Sequence, residues 1–123
     1  MSEDFKLQPL RIPSGWTVET NTLHEVDPQE QYMYPYFSGS VLFYAEKKKH
    51  KVAVDVAWVP EEEVDGEYQV TRIALRDDGK AGDEEELFST RDRQELITKL
   101  ELFLQTAHLP PTKMKRFQKF NNR

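Results

Sequence analysis

The densest cluster of potentially reactive side chains in this sequence is formed by His24, Glu25 and Asp27. An imidazole and two carboxylates could bind a divalent metal ion, or serve as acid and base in an enzyme. Their spacing matches no established motif, because a helical zinc pair needs two histidines at i and i+4 and no second histidine lies nearby. The end of a strand, followed by the turn that Asp27-Pro28 favours, explains the same residues. We therefore predict that these residues have a structural role at a strand end and turn, and we retain a metal or acid–base enzyme as an alternative.

Acidic side chains are concentrated in three connecting segments: Glu61-Glu62-Glu63 with Asp65, Asp77-Asp78, and Asp83 to Glu86. The last two together resemble a calcium loop, but they lack the alternating ligands that an EF-hand places before its glycine. Runs of charge in turns are usually solvated, and the sequence favours that interpretation. Together, however, these loops could form one negative rim that steers a cationic partner.

An aromatic run, Tyr32-Met33-Tyr34-Pro35-Tyr36-Phe37, offers a second kind of recognition surface. Tyrosine and methionine are enriched in protein interfaces, so the tyrosines could contact a partner. The same residues could instead close the open end of the core. The predicted partner surface consists of four acids and three tyrosines: Glu61, Glu62, Glu63, Asp65, Tyr32, Tyr34 and Tyr36.

Asp55 interrupts an otherwise apolar strand between Ala53 and Ala57. An unpaired buried carboxylate is costly, so either this strand face is exposed or Asp55 pairs with a base on a neighbouring strand. We predict Arg72 as its structural partner, ahead of a catalytic role.

The composition of the 123-residue chain favours one domain with a modest core, since 37% of the residues are hydrophobic and 32% are charged. The absence of cysteine excludes disulfides, thiolate metal sites and a cysteine nucleophile. The acidic N-terminus precedes no apolar segment of the signal-peptide kind, and no run approaches the roughly 18 apolar residues of a membrane span. We expect a cytoplasmic protein without a cofactor and without membrane contact.

Charge is distributed unevenly along the chain. Residues 110–123 carry five basic side chains and no acid, so the net charge of −5 leaves residues 1–109 at −10. Such an acidic body repels nucleic-acid phosphates, and we expect no nucleic-acid partner. We predict a single α+β domain over residues 1–109 and a basic C-terminal tail over residues 110–123. The tail could dock on the acidic body, bind an anionic surface, or fray.

Alternation of apolar and polar residues predicts strands near residues 16–21, 41–46, 51–59 and 68–75, and a short edge strand at 86–88. The regular alternation in the third strand gives it a core face formed by Val52, Val54, Val56 and Trp58.

Two strands carry more specific expectations. In the first, Trp16 and Val18 should point into the core. In the fourth, the apolar phase slips after Val70, which indicates a bulge near Thr71-Arg72 or burial on both faces.

One amphipathic helix should follow the strands. Ser89 is a candidate N-cap, and Asp92 three residues later favours the helix dipole. Pro110-Pro111 should end the helix. Its apolar stripe comprises Leu96, Ile97, Leu100, Phe103, Leu104 and Ala107. Because the strands come first and one helix comes last, the sequence predicts an α+β fold: an antiparallel sheet of about four to five strands with one C-terminal helix packed on one face.

Two stretches resemble a known group of proteins: Leu10 to Asp27, and Asp65-Gly66-Glu67-Tyr68 leading to Ser89-Thr90-Arg91 and the last helix. The group comprises small, mostly uncharacterised bacterial proteins, some of which are regarded as immunity proteins against polymorphic or contact-dependent toxins. The resemblance extends from about Leu10 to Ala107 and includes no catalytic motif, so no functional residue is transferred.

We predict from these features a protein-binding domain without enzymatic activity. The resemblance implies an immunity protein that neutralises a basic toxin domain by steric and electrostatic binding. The alternatives are a homo-oligomeric, for instance homodimeric, structural or regulatory protein, and the small enzyme that uses His24, Glu25 and Asp27.

Overall fold

In a computed structural model, which describes residues 5–107, five strands form one antiparallel sheet. They are β1 (Thr17–Asn21), β2 (Phe43–Lys47), β3 (Val52–Val59), β4 (Glu67–Leu75) and β5 (Ala81–Thr90). Each strand pairs with the next along the chain, so the sheet is a meander with β1 and β5 at its edges. The connections after β2 and β4 therefore lie at one end of the sheet, and those after β1 and β3 at the other.

Two helices accompany the sheet in the described part of the chain. The short α1 (Met33–Tyr36) follows a 3-10 turn (Glu30–Tyr32), and α2 (Arg93–Thr106) follows β5. A second 3-10 turn (Lys48–His50) joins β2 to β3. The prediction of an α+β fold with a four- to five-stranded antiparallel sheet and one C-terminal helix on one face is confirmed. The predicted tail and the prolines expected to end α2 lie outside the described residues.

The core lies on the sheet face that α2 covers. The predicted face of β3 is buried there, and cross-strand neighbours extend it, with Phe43 opposite Val56 and Tyr68 opposite Trp58. The helix adds Leu96, Leu100, Phe103 and Leu104, and its C-cap adds Ala107, all buried as predicted. Because each large apolar side chain contributes about 1.5 to 3 kcal/mol on burial, this layer holds α2 on the sheet. Both helices contribute to this core. The opposite sheet face is called the open face below.

The prediction for β1 is wrong in one respect. Val18 is 39% exposed, because β1 is a short edge strand whose register shifts between Val18 and Thr20. Trp16 is half-buried, and its indole Nε1 donates to the Leu104 carbonyl at 2.9 Å. The segment is anchored instead by Leu23 and Val26, which are buried just beyond the strand.

The phase slip in β4 reflects burial on both faces. β4 pairs with β3 in continuous register, so Tyr68 and Val70 face the core while Ile73, 7% exposed, faces the open side. The bulge lies in β5, where Leu87 is the extra residue, and β5 is longer than the predicted edge strand.

The start of α2 also differs from the prediction. Ser89 belongs to β5, and Asp92 is the N-cap, whose carboxylate accepts hydrogen bonds from the backbone of Gln94 and Glu95. Because strand pairing with β4 continues to Thr90, the helix begins only at Arg93.

Candidate functional site

The structure does not bring His24, Glu25 and Asp27 to one point. The His24 ring packs edge-on against Tyr36, and its Nδ1 lies 2.8 Å from the Thr22 carbonyl oxygen. The Asp27 carboxylate accepts a hydrogen bond from Arg93 Nε at 2.9 Å, whereas Glu25 is exposed. Within residues 5–107 no three His, Asp or Glu side chains are arranged to hold a metal ion. These residues thus form a turn that packs on α2.

The tyrosines of the aromatic run have two different roles. Tyr32 and Tyr36 are half-buried and pack edge-on against Phe5, with ring centroids 5.1 and 5.4 Å away. Met33 and Phe37, on the inner side of α1, are buried in the core. Tyr34 is 75% exposed. The run therefore caps the core and leaves Tyr34 as its accessible aromatic side chain.

The segment from residue 60 to residue 66, here the acidic loop, is held by hydrogen bonds to its backbone. Trp58 Nε1 donates to the Glu63 carbonyl at 2.7 Å. The Arg91 guanidinium donates to the carbonyls of Val64 and Gly66, and it lies over the Trp58 ring, 5.9 Å from the centroid. These contacts fix the loop, and its four acidic residues Glu61, Glu62, Glu63 and Asp65 are all exposed.

Two further hydrogen bonds join the acidic loop to the segment that follows α1. The Glu62 backbone N–H donates to the Phe37 carbonyl at 3.1 Å, and the Gly39 N–H donates to Glu61 Oε2 at 2.7 Å. The loop and Tyr34 consequently belong to one end of the molecule. We call the surface formed by Tyr34, Glu61, Glu62, Glu63 and Asp65 the acidic end. No lysine or arginine in the described part of the chain forms a salt bridge with these four acids.

The hypothesis of a single negative rim is wrong. The acidic loop joins β3 to β4, whereas Asp77 and Asp78 join β4 to β5 and therefore lie at the opposite end of the sheet. There Lys51 and Arg76 pair with Asp77 and Asp78, and these hydrogen bonds lower the pKa of both carboxyls. A cleft of 310 Å³ at this end is lined by three bases, Lys48, Lys51 and Arg76, and by two acids, Glu46 and Asp77.

The predicted Asp55–Arg72 pair is also wrong. Asp55 lies opposite Thr71 on the open face, whereas Arg72 lies opposite Val54 on the core face. Arg72 Nε donates instead to the Ala107 carbonyl at 3.0 Å. Burial, followed by repulsion from the Glu84 carboxylate, raises the pKa of Asp55 to about 6. The Asp55 side chain thus lies on a partly exposed face, as the other sequence interpretation expected.

Sequence reasoning missed Arg91 as a determinant of the acidic end. Its contacts with Val64 and Gly66 span more than twenty residues, so no local pattern reveals them. Its position just after the last residue of β5, beside the start of β4, is set by the pairing of Thr90 with Tyr68.

No protein-family model matches this sequence, and searches of curated proteins and of solved structures returned no match. The resemblance to immunity proteins therefore stays a prediction. Among the described residues, no helix is long and apolar enough to cross a membrane.

Proposed function

We propose that this chain is a cytoplasmic protein-binding domain that takes a basic protein on its acidic end. The partner class that the sequence resemblance implies is a toxin domain, which the chain would neutralise by covering it. Binding the partner and neutralising it by covering it need no catalytic group and no cofactor in this chain.

The observation that carries the proposal is the fixed backbone of the acidic loop next to an exposed tyrosine. The loop is fastened by Trp58, Arg91 and the Phe37 carbonyl. Binding to a loop that is already ordered avoids much of the entropy lost when flexible segments are immobilised. Exposed tyrosine side chains are common anchors of protein interfaces.

Charge supports a basic partner. The carboxylates of Glu62, Glu63 and Asp65 are exposed and form no salt bridge with any lysine or arginine of residues 5–107. Unneutralised charges on one surface accelerate the encounter with an oppositely charged protein, and this acceleration falls as salt is added.

The two alternative functions have less support. Self-association through the open face would bring Asp55 and Glu84, which strand register places there, against the same carboxylates of a second copy, which is unfavourable. An acid–base or metal enzyme centred on His24 lacks a common site for its three residues.

The test is affinity capture on immobilised full-length chain, followed by titration calorimetry with the captured partner. The double variant E62K/E63K should weaken binding at least about ten-fold, and Tyr34→Ala by a similar factor. The matched control D77K/D78K changes charge equally at the other end of the sheet and should leave affinity within about two-fold. Equal losses in both double variants, or no loss in either, would refute the acidic end as the binding surface.

A further inference from the structure

The end of the sheet that lies opposite the acidic end is rich in bases. Six of the twelve lysine and arginine residues in the range 5–107 fall within two short segments, 47–51 and 76–80. The first segment connects β2 to β3, and the second connects β4 to β5. Three acids, Glu46, Asp77 and Asp78, lie in these segments or directly beside them, so this end is net positive on a chain whose net charge is −5.

A cleft of 310 Å³ opens between these two connections. Lys48 and Lys51 line it from one connection, and Arg76 lines it from the other. Leu75 adds an apolar side chain to the wall, and at Gly79 a Cβ atom would meet nothing within 4 Å. The volume is at the lower end of the range of about 300 to 1,000 Å³ that is typical of ligand pockets. The cleft therefore suits a small anion with a short organic body.

Backbone hydrogen bonds hold the bases on both sides of the cleft. The Lys51 N–H donates to the Lys48 carbonyl at 3.0 Å, and the Lys51 carbonyl accepts from the Leu75 N–H at 2.9 Å. The Arg76 N–H donates to the Lys80 carbonyl at 2.8 Å. Because both connections are ordered in this way, a ligand does not have to immobilise either backbone segment when it binds.

We propose that this cleft binds a small molecule that carries a phosphate group. The three bases that line the cleft each have a carboxylate within 4.0 Å: Lys48 has Glu46, Lys51 has Asp77, and Arg76 has Asp78. A ligand carboxylate would only replace one of these partners with an equivalent one. A phosphate monoester carries a charge of about −1.5 to −2 at pH 7 and three acceptor oxygens. It therefore gains charge-assisted hydrogen bonds to several bases at once.

The carboxylates of the second connection are easily displaced. The side chains of Asp77 and Asp78 are 92% and 47% exposed, and exposed ion pairs contribute little to stability. Glu46 differs, because its side chain is only 14% exposed and its carboxylate accepts a hydrogen bond from the Tyr44 hydroxyl at 2.7 Å. We therefore expect the phosphate group to contact Lys51 and Arg76. The site is independent of the protein partner proposed above, since the acidic end lies at the other end of the sheet.

The test is an NMR titration of the full-length ¹⁵N-labelled chain with glycerol phosphate, at pH 7.5 and low salt. The backbone signals of Lys51, Arg76 and Gly79 should shift and saturate with a dissociation constant of roughly 1 mM or below. The signals of Glu62 and Asp65 at the acidic end should not move. Sodium acetate, which supplies a carboxylate, should bind at least about ten-fold more weakly. Equal binding of acetate, or shifts that do not saturate, overturns the proposal.

Variants at exposed side chains complete the test. K51Q/R76Q should weaken binding of glycerol phosphate at least about ten-fold. The matched control K49Q/K80Q removes the same charge from the same end, at residues that do not line the cleft, and should change affinity by less than about two-fold at physiological salt. Asp77→Asn releases Lys51 from its ion pair and should strengthen binding about two-fold or more. Weaker binding in Asp77→Asn, or equal losses in the two double variants, contradicts the proposal.

A final measurement separates a small molecule from a lipid headgroup, which also carries a phosphate. Vesicles of phosphatidylcholine and phosphatidic acid are sedimented with the full-length chain, and the chain should stay in the supernatant. Sedimentation with these vesicles that K51Q/R76Q abolishes would assign the cleft to a lipid headgroup and would overturn the assignment to a small molecule.

Discussion

Asp55 and Arg72 occupy neighbouring strands but point to opposite faces of the sheet. In the register of β3 with β4, Asp55 lies opposite Thr71, and Arg72 lies opposite Val54. A shift of one residue reverses the face of a side chain in a strand. The carboxylate is therefore left among alanines and acids, while the guanidinium donates to the Ala107 carbonyl near the end of α2.

Replacing Asp55 with asparagine should stabilise the protein at neutral pH. Folding raises the pKa of Asp55 to about 6, above the value of about 3.9 in an unfolded chain. The folded protein thus binds the proton more tightly, and its stability should rise as the pH falls from 7 through 6 towards 4. The full shift corresponds to about 3 kcal/mol. Because the side chain keeps some contact with water, we expect about 1 to 2 kcal/mol in urea unfolding.

The control for this prediction separates Asp55 from other titrating groups. The difference in free energy of unfolding between wild type and Asp55→Asn should be present at pH 7.5 and nearly vanish at pH 4. Glu84→Gln removes the second cause of the shift and should lower the pKa of Asp55 in an NMR titration. If the difference in free energy of unfolding stays constant between pH 7.5 and pH 4, the Asp55 carboxyl does not have the raised pKa.

Arg72 in β4 should be more important for stability than Arg76, which directly follows the strand. It is half-buried, and its hydrogen bond ties the last residue described after α2 to the middle of β4. Arg72→Met keeps the length of the apolar stem but removes the donor, and should cost about 1.5 to 3 kcal/mol in chemical unfolding. Arg76→Met removes an exposed pair with Asp78 and should cost less than about 1 kcal/mol. Equal losses would contradict the role of the Ala107 contact.

Local alternation predicted much of this fold. The core face of β3 follows from Val52 to Trp58 alone, since every second residue faces the same side. The apolar stripe of α2 follows in the same way from helical spacing. Val18 was assigned to the core by the same rule, which does not reveal that its strand lies at the sheet edge.

The position of the candidate site depends on the order of the strands and on contacts between residues that are far apart in the sequence. The composition of each acidic segment predicts a connection between strands. Only the strand order determines at which end of the sheet that connection lies. A meander of five strands places successive connections at alternate ends, so the separation of Glu61–Glu63 from Asp77-Asp78 follows from the observed strand order. The contact of Arg91 with Gly66 does not follow from the strand order, because it depends on the side-chain packing around Trp58.

The N-cap of α2 is Asp92 in the structure, whereas the sequence pattern predicted Ser89. Asp92 accepts hydrogen bonds from two backbone N–H groups of the first turn, whereas Ser89 lies in β5. Asp92→Ala should therefore lower the free energy of unfolding by about 1 kcal/mol. Ser89→Ala should change it by less than about 0.5 kcal/mol, as at other surface positions. Thermal unfolding of both variants by circular dichroism distinguishes the two caps, and a larger loss for Ser89→Ala would contradict the observed helix start.

A side chain at Gly66 should destabilise the protein, because Gly66 closes the acidic loop against β3. A Cβ atom there would lie 2.7 Å from Trp58 Nε1 and 2.8 Å from the Val59 carbonyl oxygen. Gly66→Ala must displace the indole or the strand, and we expect a loss of about 1 to 3 kcal/mol in urea unfolding. Gly39→Ala provides a contrast, since its Cβ would meet no atom and the cost arises from a φ of +91°, for which about 1 kcal/mol is typical. Because the Gly66 variant also moves the loop, it should weaken binding of a basic partner, and full affinity in a destabilised Gly66→Ala protein would exclude the acidic loop from the interface.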